Sequence, residues 1–87
     1  MLFLFVNIYN YKYTDIMEKI IKIKIGDCKN RLEPIKVFNQ HATAGISNFG
    51  YTLMMSKLQA GEEITLTVDS ETAINKLQHL GLNVEPL

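Results

Sequence analysis

The chain has 87 residues, 47% of them hydrophobic, and its 9 basic and 9 acidic side chains cancel. This length predicts one small domain, and the apolar content is typical of a folded core rather than of a disordered segment. The charge balance gives no indication of specific nucleic-acid binding or of an anionic membrane, whereas a net charge near zero favours a homo-oligomer.

Residues 1–16 differ in composition from the remainder and are treated as an N-terminal extension. They hold five of the eight aromatic residues of the chain. A secretory signal or a membrane span is disfavoured, because the first basic residue is Lys12 and the apolar run breaks at Asn7. Two interpretations stay open. The alternation from Asn7 to Tyr13 is compatible with an extra strand, whereas a composition resembling translated AT-rich DNA indicates that Met17 is the true start.

Three strands are predicted after Met17. Apolar residues alternate from Ile21 to Ile25 and again from Glu63 to Val68, the period of strands with one buried face. A third short strand is predicted over residues 82–85. The single cysteine, Cys28, follows the first strand; it excludes an intrachain disulfide and favours a cytoplasmic protein.

Three amphipathic helices are predicted between these strands. Asn30 is a candidate cap of the first, with Glu33 placed for a capping box; its apolar face comprises Leu32, Ile35, Phe38 and Ala42. The second follows Ser47, and its predicted stripe comprises Phe49, Leu53, Met54 and Leu58. The third begins at Asp69 or Ser70 and buries Ala73, Ile74, Leu77 and Leu80.

The predicted order is β-α-α-β-α-β over residues 17–87, a single α+β domain. Each strand and each helix has one apolar face to bury. A two-layer sandwich, in which the helices lie on one face of a three-stranded sheet, satisfies all of these faces.

Three motifs in this arrangement match a known family. Residues 30–36 (Asn-Arg-Leu-Glu-Pro-Ile-Lys) fit an Asn-Lys-x-x-x-Ile-Lys helix start, and residues 42–46 (Ala-Thr-Ala-Gly-Ile) fit an Ala-Thr-Gly-Leu-Gly-Leu turn. Residues 81–85 fit a terminal Gly followed by a strand ending in Val-Glu. With these motifs, residues 20–87 resemble the C-terminal domain of the bacterial ribosomal stalk protein. The adaptor protein of the Clp protease, which shares that fold, is resembled more weakly, mainly in Leu53, Met54 and Gly61.

The resemblance implies a docking surface on the first two helices. In the stalk family, lysines and apolar residues there bind translation factors, and Arg31, Ile35 and Lys36 match. Ser47, Asn48 and Gly50 stand where the family has further lysines. For the Clp adaptor's acidic pocket, Asp27 is the candidate residue.

Catalytic and metal-binding patterns are not found in the sequence. Gly45 and Gly50 are not followed by the lysine of a P-loop, and Phe49 occupies the second glycine position of a nucleophile elbow. His41 and His79 belong to no metal-ligand pattern. Asn75 and His79 share a helix face that is interpreted as solvent surface. We therefore expect no catalytic residues, no cofactor and no bound metal.

Residues 39–51 form the polar stretch from which a function can be argued. One interpretation is structural, since Gly45 allows a turn and Ser47 a helix cap. The other is a binding site, because a helix N-terminus attracts phosphate and aromatic rings stack on bases. The residues assigned to that site are Asn39, His41, Thr43, Ser47, Asn48, Phe49 and Tyr51.

Three functional hypotheses follow. The first is a non-catalytic accessory protein, of a size that suits a phage gene, which sequesters a small phosphate-bearing or nucleotide-like ligand at the 39–51 helix hairpin. The second is an adaptor or inhibitor that docks a host protein through a basic surface made of Lys22, Lys24, Arg31, Ile35 and Lys36. The third is a divergent stalk-like protein that binds translation factors.

Overall fold

The computed structural model describes residues 18–43 and 45–87; the interpretations of residues 1–16 lie outside this part of the chain. The elements follow the predicted order. They are β1 (Lys19–Lys24), α1 (Leu32–His41), α2 (Asn48–Gln59), β2 (Ile64–Val68), α3 (Glu71–His79) and β3 (Asn83–Pro86). The α+β architecture with a three-stranded sheet is therefore confirmed.

The sheet is antiparallel throughout, and β1 is its central strand in the order β2-β1-β3. Ile23 of β1 lies opposite Ile64 of β2 and Val84 of β3. These three side chains are buried, whereas Lys22 lies between Thr65 and Glu85 on the other face. The alternation of apolar and polar residues thus places all three apolar strand faces against the helices.

The helix layer is held by a core of side chains that are fully removed from solvent. Phe38 of α1, Met55 and Leu58 of α2, and Leu77 of α3 are each 0% exposed and belong to the same core cluster as Ile21 of β1. Each such side chain stabilises the fold by about 1.5–3 kcal/mol through burial. The helices are therefore fixed relative to one another by the same core that covers the sheet.

The predicted apolar faces of α1 and α2 need correction. Leu32 is 66% exposed, Phe49 is 72% exposed and Leu53 is 49% exposed, while Tyr51 and Met55 are buried instead. On α2, two apolar stripes have helical spacing. The stripe at positions 51, 55 and 58 (i, i+4, i+7) is apolar throughout and is buried, whereas the stripe of Phe49 and Leu53 has Ser56 at its next position.

Two predicted helix caps are confirmed. The Asn30 side-chain oxygen accepts hydrogen bonds from the N–H groups of Leu32 and Glu33, each at 3.0 Å. Ser47 Oγ accepts one from the N–H of Gly50 at 3.2 Å. The Glu33 carboxylate pairs with the Lys36 side chain at 3.2 Å and not with the backbone N–H of Asn30 that a capping box predicts.

None of the helices in the described ranges is long and apolar enough to cross a membrane.

Candidate functional site

The polar residues that join α1 to α2 mostly hold the two helices together. Asn39 Nδ2 donates to the carbonyl of Ile35 at 3.0 Å and to Asn48 Oδ1 at 2.7 Å. Ser47 caps α2, as described above. These contacts are the ones that the structural interpretation of the stretch predicts, and they leave the amide of Asn39 occupied.

The other residues of the predicted ligand site lie in three separate places. Thr43 donates its backbone N–H to the carbonyl of Thr67 at 3.0 Å, at the edge of β2. Tyr51 lies in the core, 3% exposed, with its ring centroid 6.0 Å from that of Phe38. Phe49 is largely in solvent. The structure therefore does not bring the seven predicted residues to one surface, and the ring of Tyr51 has no free face for stacking.

His41, at the end of α1, bonds instead to the loop before α3. Its Nδ1 lies 2.8 Å from Asp69 Oδ1, and Ser70 Oγ donates to the same carboxylate oxygen at 3.0 Å. Partial burial by itself raises the pKa of Asp69, but the hydrogen bonds that its carboxylate accepts from His41 and Ser70 outweigh it. The pKa of Asp69 therefore lies below its ordinary value of 3.8.

The second ring nitrogen of His41 contacts α3. His41 Nε2 lies 3.1 Å from Lys76 Nζ, and the same ammonium donates to Gln40 Oε1 at 3.2 Å. An ionised carboxylate only accepts hydrogen bonds and an ammonium only donates them. Both contacts are satisfied by a neutral ring with the hydrogen on Nδ1 facing Asp69 and the lone pair of Nε2 facing Lys76.

A groove of about 590 Å³ runs between α1 and α3 beside this hydrogen-bonded chain. We call it the α1–α3 groove. Val37 and Leu80 supply apolar side chains, and Lys36 and Lys76 supply two ammonium groups against the one carboxylate of Glu33. The lining residues are Glu33, Lys36, Val37, Gln40, Thr72, Asn75, Lys76, His79 and Leu80. Its surface thus combines an apolar patch with cationic and amide donors.

The residues of the predicted basic docking surface are divided between the two layers of the fold. Arg31 donates to Ser56 at 2.8 Å and to Gln59, both on α2, and Ile35 is buried. Lys36 alone lines the groove. Lys22 and Lys24 lie on the opposite side of the domain, on the outer face of the sheet.

A second cavity, of about 370 Å³, lies on that outer face and is bordered by Lys22 and Lys24. One of these two cations, Lys22, has two acidic neighbours. Lys22 Nζ lies 3.5 Å from Glu63 and 3.7 Å from Glu85. Exposed pairs of this kind contribute little to stability, about 0–1 kcal/mol, but they offset the positive charge that a basic docking surface needs.

The sequence of α3 contains the pattern that forms one side of the groove. On α3, positions 72, 75, 76 and 79 follow the i, i+3, i+4, i+7 spacing of one helix face. Asn75 and His79 on this face are exposed, as the sequence predicts. They also border the groove because α3 packs beside α1, and that packing is not visible in the sequence of either helix.

Comparison of the chain with protein-family models, with curated proteins and with solved structures gave no significant match. The resemblance to the stalk-protein domain therefore stays a prediction, while the α+β class stands on the observed architecture.

Proposed function

We propose that this protein is a non-catalytic binding protein that holds a small phosphate-bearing, nucleotide-like ligand in the α1–α3 groove. The observation that carries the proposal is the combination of an apolar patch with the Lys36 and Lys76 ammonium groups in one groove. Its volume of about 590 Å³ falls in the range of roughly 300–1,000 Å³ typical of small-molecule sites. A nucleotide-like ligand has the matching halves, a flat ring and an anionic phosphate.

The charges along the groove support an anion more than a cation. Two ammonium groups face one carboxylate, and that carboxylate, of Glu33, is already paired with Lys36. A phosphate can take the place of Glu33 at Lys36, because an exposed ion pair contributes only about 0–1 kcal/mol. A charged hydrogen bond to the phosphate is stronger, at about 1.5–3 kcal/mol.

The absence of catalysis in this proposal is supported by the state of His41. Both of its ring nitrogens are engaged, one by Asp69 and one by Lys76. A general base needs a nitrogen within reach of the substrate proton. A cytoplasmic location is also part of the proposal, and the buried free thiol of Cys28 is compatible with it.

The proposal moves the site from the 39–51 hairpin to the neighbouring groove. Of the residues first assigned to ligand binding, His41 contacts a groove residue, whereas Asn39 and Ser47 serve helix packing and capping. The adaptor and stalk-like hypotheses stay predictions; the structure does not supply the continuous basic surface from which the adaptor was argued.

The test is titration calorimetry of the full chain with a panel of nucleoside monophosphates and the matching nucleosides. We expect binding of the phosphate form, and a loss of about tenfold in affinity for Lys36→Gln, as expected from about 1.4 kcal/mol. Lys57→Gln is the matched control, since Lys57 lies in the last turn of α2, away from the groove. Equal binding by both variants, or no binding of any phosphate, would contradict the proposal.

A further inference from the structure

A chain of hydrogen bonds reaches the α1–α3 groove at two of its lining residues, Gln40 and Lys76. The chain runs from Asp69 through the ring of His41 to Lys76, whose ammonium also donates to Gln40. The His41 side chain is 12% exposed, whereas Lys76 is exposed and borders the groove. The ring thus connects the carboxylate of Asp69 to the exposed ammonium group of Lys76, which borders the groove.

Protonation of His41 changes the contacts along this chain of hydrogen bonds. The added hydrogen is on Nε2, so the nitrogen that accepts from Lys76 becomes a donor. Two cations then face each other across 3.1 Å, and the flexible Lys76 side chain must turn away. Asp69 holds the protonated ring in place from the other side. Nε2 then carries an N–H donor directly behind Lys76, which lines the groove.

The charged groups around the ring of His41 determine how readily the ring is protonated. Asp69, in the loop before α3, favours the protonated ring, and Lys76, on α3, opposes it. On α1, the pair of Glu33 and Lys36 contributes no net charge to the groove. An anion placed between His41 and Lys76 screens the two cations from each other, which removes the only contact that opposes protonation in the described residues.

We propose that His41 and Gln40 join the ammonium groups of Lys36 and Lys76 in binding the ligand's anionic group, and that this group binds with the uptake of one proton on Nε2 of His41. This inference rests on the proposed function. The proton comes from solvent, and no bond within the ligand is made or broken. By linkage, because binding takes up a proton, the affinity for the anion rises as the pH falls.

The test needs a ligand whose own charge does not change with pH. We choose 4-nitrophenyl sulfate, a flat ring bearing a tetrahedral anion that stays singly charged throughout, and the full chain. We expect affinity about tenfold higher at about pH 5.5 than at about pH 8, within the usual range of such couplings. Calorimetry in two buffers of different ionisation enthalpy should show uptake of up to about one proton on binding.

Two variants identify the titrating group. His79 also lines the groove, so His79→Gln should keep the pH dependence while His41→Gln abolishes it. His41→Gln also removes the contact with Asp69, which can change binding through the structure alone. The ring ¹⁵N shifts of His41 in the unaltered protein therefore provide a second readout. They should change from the neutral to the protonated pattern when the sulfate is added at about pH 7.

The outcomes separate the two proposals. If 4-nitrophenyl sulfate binds at neither pH, the site itself is refuted along with this inference. If it binds with equal affinity at both pH values and without proton uptake, the groove remains a binding site and the role of His41 is refuted. If the pH dependence disappears in His79→Gln and persists in His41→Gln, the inference is refuted as well.

Discussion

The two aromatic residues of α2 that were first assigned to ligand stacking should differ sharply when truncated. Tyr51 is 3% exposed and packs against Phe38, whereas Phe49 is 72% exposed. A large aromatic side chain buries about 150–250 Å², which at about 25 cal/mol per Å² corresponds to roughly 4–6 kcal/mol. Partial relaxation of the core reduces this, so Tyr51→Ala should lower the free energy of unfolding by about 3–5 kcal/mol.

Phe49→Ala is the internal control for this prediction. Only about a quarter of the Phe49 side chain is removed from solvent, which corresponds to roughly 1 kcal/mol of burial. Alanine is also the better helix former, by up to about 0.7 kcal/mol. The two contributions nearly cancel, and we expect Phe49→Ala to change the free energy of unfolding by less than about 1 kcal/mol.

Urea denaturation monitored by circular dichroism measures both variants. With a slope of about 1 kcal/mol per molar urea, a difference of 3 kcal/mol shifts the midpoint by roughly 3 M. If Tyr51→Ala is too unstable to measure, Tyr51→Leu keeps part of the burial and should fall between the other two. Equal losses for Tyr51→Ala and Phe49→Ala, or a larger loss for Phe49→Ala, would show that the face of α2 has been assigned wrongly.

Two further changes test the turn after β1 and the loop before α3. Gly26 has a φ of 55°, and an added Cβ would meet a backbone carbonyl at 2.5 Å, while Gly61, with a φ of 89°, has open space around that position. Gly26→Ala should therefore lower the free energy of unfolding by about 2–4 kcal/mol and Gly61→Ala by about 1–2 kcal/mol, as measured by urea denaturation; equal effects would count against the close backbone approach. Because the pKa of Asp69 is lowered in the folded state, its contribution to stability is present above the unfolded value near 3.8 and is lost as the pH falls through the folded value. The difference in unfolding free energy between the unaltered protein and Asp69→Asn should therefore shrink below about pH 4, and the same comparison with the exposed Asp27→Asn is the control; a gap that stays constant down to low pH would exclude the role of the His41 contact.

The elements of the fold could be predicted because each leaves a local mark in the sequence. Asn30 and Ser47 are capping residues, and both cap the helices they were predicted to cap. The alternation in β1 and β2 has the period of a half-buried strand, and both strands bury the expected faces. The face of α2 was predicted correctly for Leu58 and Met54 but wrongly for Phe49 and Leu53, because two apolar stripes compete on this helix and the uninterrupted one is buried.

The functional surface was harder to predict, since it depends on which elements become neighbours. His41 and Asp69 are far apart in sequence and lie 2.8 Å apart in the fold. Lys76 reaches His41 only because α3 packs beside α1. The composition of the 39–51 stretch indicated a binding site, but most of its polar residues make the turn, cap and edge contacts that such residues commonly make.

The two edge strands of the sheet, β2 and β3, limit how copies of this chain can associate. Along β2, the end of α1 and the residues after it already pair with the strand: the backbone N–H of Thr43 donates to the carbonyl of Thr67, and the backbone N–H of Asp69 donates to the carbonyl of His41. The other edge, at β3, offers four residues, one of which is a proline without an N–H. Within the described residues, neither edge therefore presents a long row of free backbone groups to another strand. If the predicted homo-oligomer forms through this part of the chain, its subunits should meet through side-chain surfaces and not by extending a shared sheet, so that growth by the addition of strand to strand is disfavoured.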